Sequence, residues 1–224
     1  MLVKIKRQES PNSEVYWQNF LYDGTKETTV SAVLEFLNNQ ENLVDIDGNK
    51  ARHIRWDCSC LQKMCGACAM IINGVPALAC ETFLRDLKGE TLILEPLSKF
   101  PVVSDLVVDR SIIYENLKNA ETYLGEYEKM KPKDYLQLYS TARCLKCGLC
   151  LEACPNYKKG KNFFGANFAN EVYLMRTQSV NRKQELKKSY NEHFAKGCSK
   201  ALACVNICPM KIDTLTSIAR LNRK

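Results

Sequence analysis

The residues of this chain with the clearest chemical meaning are its 12 cysteines. Residues 144–155 read C-L-K-C-G-L-C-L-E-A-C-P. In this C-x2-C-x2-C-x3-C-P spacing thiolates hold iron–sulfur clusters, and the fourth cysteine binds a different cluster from the first three. A complementary half must therefore lie elsewhere, and we find it at Cys198, Cys204 and Cys208, the last followed by Pro209.

The two cysteine groups predict two sets of ligands. Thiolate sulfur is a soft ligand that suits iron–sulfur clusters, and the halves exchange their fourth ligand. The first set has four thiolates and would hold a [4Fe–4S] cluster: Cys144, Cys147, Cys150 and Cys208. The second set has three thiolates: Cys154, Cys198 and Cys204.

The second set lacks one ligand. Cysteines occupy relative positions 1, 4, 7 and 11 of the first half but only 1, 7 and 11 of the second, counted from Cys198. Position 4 of the second half is Ala201, whose methyl group cannot bind iron. A cubane with an unliganded corner most simply loses that iron, so we predict a [3Fe–4S] cluster. The alternative keeps four irons with water at the open corner.

A third group of cysteines lies nearer the amino terminus and follows the C-x4-C-x2-C pattern of plant-type [2Fe–2S] sites, with one residue downstream: Cys60, Cys65, Cys68 and Cys80. Gly66 within this group lets the backbone approach a cluster and donate N–H bonds to sulfur. Cys58 lies outside the spacing, and we interpret it as a free thiol beside the cluster or, alternatively, as a substitute ligand.

Two other uses of cysteine fit less well. Disulfide frameworks suit small secreted domains, but residues 1–7 alternate apolar and charged side chains and offer no signal-peptide core. Structural zinc sites usually close with paired C-x2-C motifs or with histidines. The chain has two histidines, His53 and His193, and neither lies at ligand spacing. We therefore expect iron–sulfur clusters.

The formal charge of +7 does not indicate nucleic acid as a partner. Each cluster with its thiolates carries a net charge of about −2, which brings the loaded chain to about +1. The basic runs at 129–133 and 158–161 are most simply solvated faces, with docking or headgroup patches as the alternative. No stretch approaches the length of a membrane span.

The sequence offers no catalytic site of its own. No G-x-G-x-x-G opens a helix after a strand, so we find no flavin site, and there is no catalytic triad or carboxylate pair. Three different clusters in two domains instead suggest a graded path for electrons between two fixed partners.

Residues 1–100 have the pattern of a mixed α/β domain. Two strands, 2–7 and 15–22, would form a hairpin, and an amphipathic helix follows with Thr28 or Thr29 as its N-cap. The strand 69–72 ends at Asn73-Gly74, a strong turn signal. These elements, with a last strand at 91–95, predict a β-grasp [2Fe–2S] ferredoxin-like domain.

Residues 101–224 have few β-branched runs and many helical patterns. We expect helices that include 112–124 and 172–175, and a last one at 215–221 capped by Asp213. The predicted fold class is therefore α+β, with the β-grasp domain at 1–100 followed by a helical, bacterial-ferredoxin-like domain at 101–224.

The chain resembles the iron–sulfur subunits of succinate dehydrogenases and fumarate reductases over nearly its whole length. The loop C-L-Q-K-M-C-G-A-C-A-M at 60–70 and the segment from Asn73 to Cys80 are similar to that family's [2Fe–2S] site. Residues 103–109, V-S-D-L-V-V-D, resemble its interdomain linker. Residues 208–213, C-P-M-K-I-D, resemble its last cluster motif.

The resemblance implies the rest of a respiratory complex. A flavoprotein subunit with covalent FAD would interconvert fumarate and succinate. Electrons would pass through the [2Fe–2S], [4Fe–4S] and [3Fe–4S] clusters in that order, and membrane anchor subunits would hold a quinone near the last one. The chain would lie peripherally on the cytoplasmic face of a bacterial inner membrane.

Departures from the family pattern indicate a particular quinone. Ubiquinone-using members typically carry a tryptophan pair after the motif's Cys-Pro and a histidine after the cysteine that matches Cys198. Here residues 156–159 read N-Y-K-K, and Ser199 follows Cys198. We therefore favour menaquinone and fumarate reduction. The alternative is a soluble redox subunit whose flavoprotein reduces another activated alkene with electrons from a non-quinone donor.

Overall fold

The computed structural model describes residues 1–158 and 160–223. The chain divides into two compact units, Met1–Asp109 and Arg110–Lys224. This division falls later than the boundary at 100/101 that the change in composition suggests. The difference arises because residues 101–109 fold back onto the first unit, where the N–H of Asp105 donates to the carbonyl of Gln8 at 2.7 Å.

The first unit is built on a mixed five-stranded sheet. Its spatial order is β2-β1-β5-β3-β4, in which β1 and β5 are parallel and the other neighbours are antiparallel. This topology, with one helix packed on the sheet, confirms the predicted β-grasp domain. The strands are β1 (Leu2–Arg7), β2 (Tyr16–Leu21), β3 (Ala69–Ile72), β4 (Val75–Leu78) and β5 (Thr91–Glu95).

Side-chain alternation explains why these residues form the sheet and its core. Val3 and Ile5 of β1 are fully buried, while the residues between them are partly exposed. Helix α1 (Val30–Asn38) begins at Thr29, whose hydroxyl accepts a hydrogen bond from the N–H of Ala32 at 3.3 Å. Its buried face supplies apolar side chains to the core: Val30, Val33, Leu34 and Leu37.

A small two-stranded sheet completes the first unit, made of β6 (Val102–Ser104) and β7 (Val107–Val108). The turn between them contains Asp105, whose backbone has a positive φ of 47°. Its side chain is fully buried and pairs with Arg7 at the end of β1. The β6–β7 turn is thereby fixed to the main sheet.

The second unit is helical, as predicted. Helix α5 lies at its centre, since Phe168, Ala169 and Val172 are completely buried in the main apolar cluster. Helix α8 begins at Asp213, whose carboxylate accepts from the N–H of Thr216. The helices are α2 (Ser111–Asn119), α3 (Tyr135–Ala142), α4 (Leu149–Ala153), α5 (Ala166–Gln178), α6 (Lys183–Tyr190), α7 (Ala203–Asn206) and α8 (Thr214–Asn222).

One helix is shorter than predicted. The apolar pattern extended the first helix of this unit to Leu124, but α2 ends at Asn119. Glu121 adopts a left-handed φ of 48°, and its N–H bonds the carbonyl of Lys118. This closure resembles a glycine-type helix terminus, but a glutamate makes it, so the sequence contained no stop signal.

Within residues 1–158 and 160–223, no helix has the length and apolar character needed to cross a bilayer.

Candidate iron–sulfur cluster sites

The loop that carries Cys60 is wrapped around two sulfur atoms. The backbone N–H groups of Gln62 and Met64 donate to Cys60 Sγ at 3.4 and 3.2 Å. Between them, the N–H of Lys63 donates to Cys80 Sγ at 3.3 Å. Cys80 follows β4 and reaches the loop from another part of the chain, so one loop donates N–H bonds to the sulfurs of both Cys60 and Cys80.

The shape of this loop depends on left-handed backbone conformations. Leu61, Lys63 and Gly66 have φ values of 51°, 62° and 75°. Alternation of right- and left-handed residues turns successive N–H groups towards one point, which makes a concave site for anionic atoms. The N–H of Ala67 likewise donates to Cys65 Sγ at 3.4 Å.

The thiols of this group also interact with one another. The N–H bonds, together with a side-chain bond to Cys65, lower the pKa of Cys60 to about 7. Burial and the neighbouring Cys80 raise the pKa of Cys68 to about 12. A cluster needs all four sulfurs as thiolates, so iron binding here would displace protons, chiefly from the buried Cys68. Cys58 is exposed to solvent.

In the second unit, five thiols border a narrow cavity beneath the start of α4. Burial raises the pKa of Cys147 to about 11, with electrostatic contributions from Cys144 and Cys208. The pKa of Cys150 is raised well above its ordinary value by burial and by four neighbouring sulfurs, those of Cys147, Cys144, Cys208 and Cys204. Cys208 lies with the first three cysteines of the run, and Cys204 of the other predicted set also reaches this cavity. Its thiol lining is Cys144, Cys147, Cys150, Cys204 and Cys208.

A second cavity, of about 350 Å³, lies beside it. Its walls are mostly apolar and include Phe163, Phe194 and Ile218. The predicted three-thiol set borders this cavity, and Ala201 is part of the same lining: Cys154, Cys198, Cys204 and Ala201. Burial raises the pKa of the Cys204 thiol, and its charged neighbours are the sulfurs of Cys154 and Cys198.

The two cysteine halves share their backbone geometry as well as their spacing. Lys146 and Gly148 have positive φ values of 54° and 88°, and their counterparts Lys200 and Leu202 have 60° and 59°. A short helix follows in each half, α4 after Gly148 and α7 after Leu202. Ala201 therefore occupies the position equivalent to Cys147, between two residues of left-handed backbone conformation.

Charged residues that the sequence analysis did not single out lie beside these cavities. Lys146 Nζ is 2.7 Å from Glu171 Oε2 of α5, and Arg110 donates to the carbonyl of Cys147 at 3.2 Å. The sequence does contain a lysine at position 3 of both cysteine halves, Lys146 and Lys200, and this repeat could have drawn attention to them. Nothing in the sequence indicated that Glu171 would face Lys146.

Three structural observations are compatible with iron–sulfur clusters at the thiol sets. One loop donates N–H bonds to the sulfurs of Cys60, Cys65 and Cys80. Five thiols border the first cavity and three border the second around Ala201, with Cys204 on both. Among residues 1–158 and 160–223, no three cysteine, histidine or carboxylate side chains are close enough to hold a single metal ion. A cluster binds its cysteines through several irons and does not need the sulfurs to meet at one point.

Comparison with known families defines the class of protein. A family described as "2Fe-2S iron-sulfur cluster binding domain" matches residues 2–115. A family described as "4Fe-4S dicluster domain" matches residues 140–212. The chain is therefore a two-domain iron–sulfur protein with a [2Fe–2S] domain followed by a dicluster domain.

Individual relatives identify the family within this class. The chain is 35% identical to the succinate dehydrogenase iron–sulfur subunit of Bacillus subtilis, with 98% of this chain and 90% of that one covered. It is 27% identical to the fumarate reductase iron–sulfur subunit of Wolinella succinogenes, with 96% and 92% covered. The chain belongs to the family of succinate dehydrogenase and fumarate reductase iron–sulfur subunits.

A solved structure shares the fold. A chain of the Mycobacterium smegmatis Sdh1 complex in the apo form superposes with a TM-score of 0.74 at 21% identity, covering 98% of this chain and 94% of that one.

Proposed function

We propose that this chain is the electron-transfer subunit between a covalent-FAD flavoprotein, which interconverts fumarate and succinate, and a quinone held by membrane anchor subunits. The observation that carries the proposal is the 35% identity to a succinate dehydrogenase iron–sulfur subunit across both domains. The three thiol sets agree with that role, because each would hold a group that accepts and releases one electron.

In this proposal the ligands are those that the spacing predicts. Cys60, Cys65, Cys68 and Cys80 would hold the [2Fe–2S] cluster, for which the loop also supplies N–H donors to sulfur. Such bonds stabilise negative charge on the sulfurs and so tune the potential. In the second unit we assign two ligand sets, supported by the cavities that they border, with Cys204 on both cavities. The [4Fe–4S] set is Cys144, Cys147, Cys150 and Cys208, and the three-thiol set is Cys154, Cys198 and Cys204.

The [3Fe–4S] type is proposed for the three-thiol set. Its support is the position of Ala201, which is equivalent to that of Cys147 and lines the cavity without offering a ligand. A thiolate at that place would complete a four-cornered site, and the methyl group leaves one corner open.

The quinone, the direction and the location belong to the same proposal. The N-Y-K-K segment at 156–159 and Ser199 stand where ubiquinone-using relatives have aromatic residues and a histidine, which favours menaquinone and fumarate reduction. Attachment to anchor subunits would keep the chain peripheral, on the cytoplasmic face of the inner membrane.

The test is purification of the native complex under anaerobic conditions, followed by assays with fumarate and a menaquinol analogue. We expect co-purification of a flavoprotein and an anchor, quinol-dependent fumarate reduction, and no reductase activity in the isolated chain. Fumarate reduction by the chain alone would overturn the proposal. Activity only with another activated alkene and a soluble donor would replace it with the soluble alternative.

A further inference from the structure

The two cysteine loops of the second unit each carry one lysine at the same place. Lys146 is the third residue of the first half and Lys200 the third residue of the second. Both have left-handed backbone conformations, with φ values of 54° and 60°. Each lysine lines the cavity of its own thiol set. The repeat thus places one ammonium beside each proposed cluster.

The two ammonium groups differ in their partners. Lys146 is paired with Glu171 at 2.7 Å, and the two side chains are only 18% and 17% exposed. A pair this close and this shielded contributes little net charge to its surroundings. Lys200, in contrast, is exposed, and no carboxylate of the described chain lies within 4.0 Å of its Nζ.

The part of the second cavity's lining that the structure describes contains no carboxylate to offset the charge of Lys200. Among the described residues that line the second cavity, Lys200 is the one lysine, arginine or carboxylate side chain. The walls are otherwise apolar or small, so they screen the charge poorly on the cavity side. Solvent screens it on the other side, which limits its effect.

We propose that Lys200 raises the reduction potential of the three-thiol cluster, whereas the corresponding effect of Lys146 on the four-thiol cluster is opposed by Glu171. The inference rests on the proposed function, because it needs clusters at both sites. An uncompensated cation stabilises the added electron, and charge is one of the levers on cluster potential. The unequal pairing would draw electrons towards the cluster at the quinone end. Arg110 is a further cation at the four-thiol site, so the inference concerns the lysine contributions and not the absolute potentials.

The test is a redox titration followed by electron paramagnetic resonance, on the full chain purified anaerobically with its partner subunits. Lys200→Gln should lower the midpoint potential of the oxidised-state [3Fe–4S] signal. For an exposed charge we expect about a threefold change in the equilibrium constant, roughly 28 mV for a one-electron couple. Lys200→Arg should keep the wild-type value. The lowering should shrink as ionic strength rises.

The Lys146–Glu171 pair supplies the matched experiment at the other cluster. Glu171→Gln should raise the midpoint potential of the reduced-state [4Fe–4S] signal. We expect about a tenfold change in the equilibrium constant for reduction, which corresponds to roughly 59 mV. Lys146→Gln should lower it, and the double variant should return close to wild type. The double variant also covers the case in which a single variant, left with one buried charge, fails to assemble.

The outcomes separate the inference from the proposed function. Lys118→Gln, on the exposed side of α2, is the control because Lys118 lines neither cavity. Absence of both signals in the wild type would overturn the proposed function. If both signals are present but Lys200→Gln shifts the [3Fe–4S] midpoint no more than the control does, the inference alone is overturned. The inference is also overturned if the [4Fe–4S] midpoint of the double variant differs from wild type as much as that of either single variant.

Discussion

Arg7 and Asp105 form an ion pair in which both side chains are completely buried, with 3.1 Å between Arg7 Nε and Asp105 Oδ1. The carboxylate also accepts hydrogen bonds from the guanidinium of Arg52 at 2.9 and 2.6 Å, and from the N–H groups of Gln8 and Arg55. One buried carboxylate therefore joins the end of β1, the 52–55 segment and the β6–β7 turn.

Replacing this carboxylate should destabilise the first unit strongly. Asp105→Asn leaves the Arg7 charge buried without its partner, a change that costs about 3–5 kcal/mol in the free energy of unfolding. Asparagine tolerates the positive φ at this position, so the variant tests charge and not backbone strain. Denaturant unfolding would measure the loss. The control is Glu90→Gln, which breaks an exposed, solvent-screened pair with Lys26 and should leave the free energy of unfolding nearly unchanged. Equal losses in the two variants would contradict the prediction.

Gly165, just before α5, should not tolerate a side chain. Its φ is +81°, and an added Cβ would lie 2.2 Å from Cδ2 of the fully buried Leu151. Gly160 has a similar φ of +72°, but no described atom lies within 4 Å of its would-be Cβ. We expect Gly165→Ala to destabilise the chain by about 2 kcal/mol more than Gly160→Ala, because only the first adds a clash in the core. Thermal unfolding of both variants checks this, and indistinguishable stabilities would refute it.

Cys60 should be required for the [2Fe–2S] cluster and Cys58 should not. The N–H groups of Gln62 and Met64 donate to Cys60 Sγ, whereas Cys58 is exposed. Cys60→Ser should abolish the resonance of the reduced [2Fe–2S] cluster, and Cys58→Ser should retain it at wild-type intensity. Paramagnetic resonance of the dithionite-reduced variants is the measurement. Loss of the signal in Cys58→Ser would show that Cys58 is the ligand instead.

Ala201→Cys should convert the third cluster towards [4Fe–4S]. The added thiolate would stand at the position equivalent to Cys147 in the other half. It also adds negative charge, so the potential of this cluster should fall. In redox-titrated paramagnetic resonance, the oxidised-state [3Fe–4S] signal should be present in the wild type and vanish in the variant. Ala203→Cys, two residues away, adds a thiol to the same segment and should leave that signal in place. Two [4Fe–4S] signals in the wild type would mean that the comparison of the halves is misleading.

The loaded chain should contain about nine irons and about ten inorganic sulfides, the content of one cluster of each type. Elemental analysis and sulfide assay of anaerobically purified protein measure both. Cys144→Ser should lower the iron content by about four if its cluster is lost whole. A wild-type value near about twelve irons would indicate sites beyond the three proposed.

Local signals in the sequence were sufficient for much of the fold. The hydroxyl of Thr29 and the carboxylate of Asp213 cap the helices that they were predicted to cap. Asn73-Gly74 closes the β3–β4 hairpin, with Gly74 at a φ of +80°. These features succeed because a cap or a turn is decided by a few neighbouring residues.

Contacts between charged residues that are far apart in the sequence could not be predicted. Cysteine spacing grouped Cys208 with Cys144 as proposed ligands, because ligand geometry leaves few ways to close a cluster, and both thiols border one cavity. No such rule links Lys146 to Glu171 on another helix, or Asp105 to Arg7 across the first unit, since a charged residue has many possible partners. The end of α2 at Asn119 was also missed, because a left-handed glutamate, not a glycine, closes it.

Helix α5 begins at the boundary between the two cavities, since Ala166, its first residue, lines both of them. The peptide dipoles of a helix add up to about half a positive charge at its amino end. Gly165, the N-cap residue, has no side chain to cover the free N–H groups there. One helix terminus would therefore lower the electrostatic cost of an added electron at both proposed clusters. That contribution comes from peptide groups, so side-chain substitutions along α5 would leave it in place.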